Sequence, residues 1–156
     1  MRLIRVARAV AAAFGVWLAF AAAPASAHHS FAPYEPDLQI ALHGSVTHFQ
    51  WTNPHIYLEL DEVVDADTGE TRHWLIECAN TSILNRAGWK FNMVKPGDEI
   101  SIIVAPMRNG EPGALLKRIR LPDGSEFSNG PAAGQALIDF DGNLVEGAST
   151  DVPGAY

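Results

Sequence analysis

Residues 55–88 read HIYLELDEVVDADTGETRHWLIECANTSILNRAG, and their pattern decides the fold. From His55 apolar and polar side chains alternate. Ile56, Leu58 and Leu60 fall on one face with Tyr57 and Glu59 on the other, the period of a half-buried strand. Asp65-Ala66-Asp67-Thr68-Gly69 supplies turn-forming residues, so the chain reverses there as a hairpin. The return arm, residues 71–78, places Trp74, Ile76 and Cys78 at period two. The rhythm then changes: Asn80-Thr81-Ser82 offers a polar cap, apolar residues follow at about one helical turn, and Gly88 closes a short helix.

Upstream, residues 39–50 carry Ile40, Leu42, Val46 and Phe49 and read as a strand that ends at the turn Trp51-Thr52-Asn53-Pro54. Downstream, Lys95-Pro96-Gly97-Asp98 fits a type II turn. Residues 99–105 and 114–121 form two further strands around a Gly/Pro loop at 107–113. Asp123-Gly124 starts a last hairpin with Phe127 in its return arm. Strand, strand, strand, helix, strand, strand is the order of an OB-fold. The expected class is therefore all-β with one short helix, a small OB-fold-like five-stranded barrel, with an open β-sandwich as the alternative. The barrel is expected over residues 39–127, after an N-terminal arm at 28–38. From Ser128 to residue 156 the chain is rich in Gly, Ala, Asp and Ser, which predicts a loosely ordered tail.

A chain of 156 residues holds one small domain. Its first 27 residues read as a secretory signal peptide. Arg2, Arg5 and Arg8 form a basic start, residues 9–23 an uncharged apolar run, Pro24 a break, and Ala25-Ser26-Ala27 a cleavage site. The apolar run is short for a membrane span. Cleavage after Ala27 predicts a periplasmic protein that starts at His28 and keeps no stable membrane anchor. The leader holds no acid, so its removal takes the formal charge from −7 to −10. Such a balance argues against nucleic acid or an anionic membrane surface as partner, and no local basic patch is evident in the sequence. A single cysteine, Cys78, excludes a disulfide scaffold and Cys-rich zinc patterns, and it reads as a buried small hydrophobe.

All six histidines lie between positions 28 and 73. As the first residue of an exported chain, His28 offers an α-amine and an imidazole, which close a chelate ring. A third nitrogen from a distant histidine completes a brace that suits copper, the ion at the head of the affinity order. The amine must lose its proton to bind, so affinity depends on pH near neutrality. His48 and His55 flank the first turn. If the hairpin closes symmetrically about residues 51–54, His48 is diagonal to His55 on one face and within reach of a shared ion. An odd loop or a bulge breaks that argument. His29 is a further candidate next to His28. His43 and His73 sit in strand interiors and read as structural, while Glu59, Asp61 and Glu62 are potential oxygen ligands that more often stay solvated. There is no nucleophile elbow, P-loop, dinucleotide fingerprint or H-E-x-x-H run, and the reading leans away from an enzyme.

The start His28-His29-Ser30-Phe31-Ala32, the segment Gly44-Ser45-Val46, the turn Trp51-Thr52-Asn53-Pro54-His55, the run Arg86-Ala87-Gly88-Trp89 and the turn Lys95-Pro96-Gly97-Asp98 resemble a family of small exported bacterial proteins of unknown function. The resemblance covers residues 27–127. It implies export and a compact β domain, and it carries no catalytic residues.

The expected function is that of a periplasmic metal-binding protein, with copper preferred and His28, His55, His48 and His29 as candidate ligands. Its partners would be a metal ion or small ligand, or another periplasmic protein. The competing reading is a module that binds a non-metal ligand or a protein and whose histidines are structural.

Overall fold

The computed structural model describes residues 32–146. The leader and its cleavage site, His28 and His29 lie outside the described residues. The strands are β1 Ile40–Gln50, β2 Ile56–Asp65, β3 Glu70–Cys78, β4 Glu99–Pro106, β5 Gly113–Arg120 and β6 Glu126–Ser128, with helix α1 Thr81–Arg86 between β3 and β4. The sheet runs β3-β2-β1-β4-β5-β6, and a parallel pairing of β3 with β5 closes the first five strands into a barrel. Closure uses three rungs, Leu75 with Gly113, Ile76 with Ala114 and Glu77 with Leu115. The OB-like barrel is thus the observed fold.

Alternation sets the core. Leu42 and Val46 of β1, Leu58 and Leu60 of β2, Trp74 and Ile76 of β3, Ile102 and Val104 of β4 and Leu116 of β5 all point inward and are buried. Leu84 of α1 and Trp89 just after it close one end of the barrel, both at 0% exposure. The helix ends as its sequence suggests. Asn80 Oδ1 accepts from the Ile83 N–H at 2.9 Å. Beyond Arg86, Gly88 adopts a φ of +93°, and the N–H groups of Gly88 and Trp89 bond the carbonyls of Asn85 and Leu84. That is a Schellman closure, in which glycine avoids the steric cost of a left-handed φ.

Two features depart from the expected pattern. β1 bulges between Val46 and His48, so the residues on each side of Thr47 change phase. The segment after Ser128, expected to be loosely ordered, is packed as far as it is described. Gly130–Ala133 forms a 3-10 turn, Ile138 pairs with Leu144, and Ile138 and Phe140 are buried against Ile103 on the outside of β4. Asn129, wholly buried, ties the segment to the barrel: its Oδ1 accepts from the Ala79 N–H at 2.7 Å and its Nδ2 donates to the Leu116 carbonyl at 2.8 Å. Composition predicted disorder because few apolar residues remain. Ile138 and Phe140 suffice because β4 and β5 present apolar side chains outward as well as inward.

Candidate functional site

The outer face of β1, β2 and β3 carries the chemistry. Gln50, Tyr57 and Glu77 form one rung across the three strands; His48, Glu59 and Leu75 form the next, and Ser45, Asp61 and His73 the third. His55 stands on the same face, two residues before Tyr57. The alternation that sends Trp74, Ile76 and Cys78 inward turns His73, Leu75 and Glu77 outward.

Glu77 joins two elements distant in sequence. His55 Nδ1 lies 2.8 Å from its Oε1, and the Tyr34 hydroxyl donates to its Oε2 at 2.7 Å. Tyr34 belongs to the N-terminal arm, which a backbone bridge to Met107 and an Arg108 N–H to Pro33 carbonyl bond dock beside the β4–β5 loop. Its ring packs with Ala105, Leu115 and Met107. Burial, then the bond to Glu77, pushes the Tyr34 phenol up beyond its ordinary range, so it stays a neutral donor. Tyr57 is raised as well, first by burial and then by the Glu77 charge. A carboxylate beside Nδ1 favours the tautomer that carries its proton there.

A second group lies further along the face. His73 Nδ1 is 2.6 Å from Asp61 Oδ1 and its Nε2 is 3.3 Å from Glu59 Oε2. The hydrogen bond to Asp61 raises the His73 pKa most; burial, the next influence, opposes it, and the charges of Asp61 and Glu59 add to the rise. His43 Nδ1 is 2.8 Å from the Ser101 hydroxyl across the β1–β4 pairing. Burial raises the thiol pKa of Cys78 inside the barrel and keeps it protonated.

His48 and His55 share this face but do not meet as expected. Gln50 pairs with Tyr57 rather than with His55, and the bulge brings His48 opposite Glu59. Four residues of β2 therefore separate His55 from the rung of His48, about 13 Å at ~3.3 Å per residue. The symmetric closure fails because the connection has five residues, 51–55, between the end of β1 and the start of β2. Asn53 Oδ1 is also taken up, by the Thr81 hydroxyl at 2.9 Å. Among the described residues no three of His, Cys, Asp and Glu gather closely enough to hold a metal ion. Sequence reading passed over Tyr34 and Glu77. For Glu77 the signal was the parity of β3; for Tyr34 there was none, since nothing local ties residue 34 to residue 77.

The match to a known family spans residues 15–116, more than half of the chain. The chain belongs to DUF6152, a family of unknown function. No curated protein matches this DUF6152 chain in sequence. Among solved structures it is similar to the mitochondrial single-stranded DNA binding protein Rim1 from S. cerevisiae. One crystal form gives 15% identity and a TM-score of 0.43, covering 55% of this chain and 93% of that one. Another gives 11% identity and a TM-score of 0.42, covering 55% and 92%. Rim1 binds single-stranded DNA by its description, which is at odds with the exclusion of nucleic acid drawn above from net charge, and that exclusion is withdrawn. Net charge is a sum over the whole chain and does not describe any one part of its surface.

Proposed function

We propose that this DUF6152 protein is exported to the periplasm and there binds a transition metal, copper(II) foremost, between its processed N-terminus and His55. One observation carries the reading: the Glu77 carboxylate holds His55 by one oxygen and the N-terminal arm, through Tyr34, by the other. A carboxylate on the far nitrogen is the usual support of a metal-ligating imidazole, because it fixes both ring orientation and tautomer. The arm supplies the rest. Six residues separate His28 from Tyr34, a reach of up to ~20 Å at ~3.3 Å per residue, so the amine and imidazole of His28 can come to Nε2 of His55. His29 is the adjacent donor, and His48, two rungs away, stands outside this set. The role is capture or handover of the ion.

Titration of copper(II) in competition with a chelator tests this on three proteins: the chain starting at His28, the same chain with one extra residue before His28, and His55→Ala. Both altered forms should bind at least ~10-fold more weakly, a loss of ~1.4 kcal/mol or more. Equal affinity in all three would overturn the reading. If copper leaves the melting temperature unchanged while another ligand raises it, the histidines are structural and the protein is a binding module of another kind.

A further inference from the structure

The turn that follows α1 presents a feature that the metal reading leaves unused. From Ala79 to Gly97 the sequence holds Arg86, Lys90 and Lys95 and no acidic residue, in a chain otherwise rich in acids. All three cations are exposed. Between the two lysines, Phe91 is 69% exposed.

This exposure is imposed by the backbone. Trp89 is fully buried and Val94 almost so, which pins the chain on both sides of residues 90–93. The Met93 N–H donates to the Lys90 carbonyl at 3.3 Å, and the Lys90 N–H lies 3.1 Å from Met93 Sδ, closing the turn. Beneath it Trp51, Phe49, Trp89 and Phe127 make a chain of ring contacts with centroids 5.9 to 6.5 Å apart. Phe91 lies at the tip of this anchored turn, exposed, with Lys90 before it and Lys95 after it in the sequence.

We infer that this turn is a docking point for an anionic lipid surface. A ring at the tip enters the boundary between headgroups and acyl chains. Lysine side chains lay their stems along apolar surface and leave the ammonium at the phosphates. Opposite charge is the second contribution, since each cation near an anionic membrane adds to the attraction. Screening confines such effects to ~8 Å at physiological ionic strength, so the acids that count first are the adjoining Asp98, whose Oδ2 accepts from the Lys95 N–H at 2.8 Å, and Glu99, against three cations. A single strand of nucleic acid has the same charge but needs a row of exposed rings on which successive bases stack. Here one ring protrudes, and Trp89 at the centre of the row beneath is inside the core. Whole-chain charge hid this patch from the sequence reading, because three cations vanish in a negative sum.

The test is co-sedimentation of the chain starting at His28 with vesicles of phosphatidylglycerol and phosphatidylcholine in a ratio of about 1:3, and with vesicles of phosphatidylcholine alone. Every core side chain described lies within residues 32–146, so this form retains the whole barrel. Wild type should bind the anionic vesicles at least ~5-fold better than the neutral ones, and raised salt should reduce the difference. Phe91→Ser, and separately Lys90→Glu with Lys95→Glu, should each lower the bound fraction at least ~3-fold with the melting temperature preserved, as expected of exposed positions. Binding that ignores phosphatidylglycerol, or variants that bind like wild type, would overturn the inference. So would preferential capture of a fluorescent single-stranded oligonucleotide by wild type in competition with the vesicles.

Discussion

Glu77 and His73 show two uses of the same chemistry on one sheet face. Glu77 is shared between an imidazole and a phenol, which locks a loop residue and an arm residue to one strand. His73 is held instead between Asp61 and Glu59 within a single hairpin, and its pKa is raised in the folded protein. The sign of the linkage follows. An unfolded histidine titrates near 6.5, so the stabilisation is fully present below that pH and is lost as the pH rises through the higher folded value. His73→Gln should therefore destabilise the protein more at about pH 5.5 than at about pH 8.5, as read by the midpoint of urea unfolding. Because the His73 side chain is 54% exposed, solvent screening keeps the difference below ~1 kcal/mol. An equal loss at both pH values would mean that the carboxylates contribute only neutral hydrogen bonds.

At the scale of elements, β1 is held along both of its edges. Between Gly44 and Ser45 it pairs with β2 on one side and β4 on the other, and beyond the bulge β4 no longer accompanies it. A Cβ at Gly44 would run into the backbone carbonyl of Asp61, so the close approach of β1 and β2 needs glycine at this position. Gly44→Ala should cost at least ~2 kcal/mol, since the obstacle is backbone and cannot rotate away. Loss of the α1 cap is a milder change: Asn80→Ala removes one bond to the Ile83 N–H and should cost ~1 kcal/mol. Thermal unfolding of the two variants checks the order. A Gly44→Ala protein as stable as Asn80→Ala would show that the strands separate easily at that rung.

At the largest scale, residues 32–146 form a barrel whose outside is partly covered. Tyr34 of the arm packs over β4 and β5, and the segment after Ser128 lies on the outer side of β4 and β5. Lys117, buried beneath that segment, donates to the Ala132 carbonyl at 3.1 Å, and burial lowers the pKa of its amine. Gln39 holds the segment from the other side through the Gln135 carbonyl and the Leu137 N–H. Among the described residues, neither the arm nor this segment packs over the face of β1, β2 and β3, where His48, His55 and His73 stand. Truncation after Ser128 should lower the melting temperature by more than ~5 °C, because burial of Ile138 and Phe140 contributes ~1.5–3 kcal/mol each before ordering costs. An unchanged melting temperature would return the segment to the status of a loose tail.

The order of elements was legible in the sequence because each one rests on local rules. Period-two alternation marks the strands, Asn80 and Gly88 bracket α1, and Pro96-Gly97 makes the turn into β4. Which side chains meet was not legible. His48 and His55 are seven residues apart, yet a one-residue bulge and a five-residue loop part them by two rungs. Tyr34 and Glu77 are 43 residues apart and touch only because β3 closes on β5 and the arm docks across that seam. The order of the segment after Ser128 likewise depends on Ile103 and Lys117 pointing outward, which alternation alone reads as solvent exposure. Backbone propensity and hydrophobic period act over a few residues and are written in the chain. Register, bulges and closure depend on how whole strands pack together, and they came only with the tertiary structure.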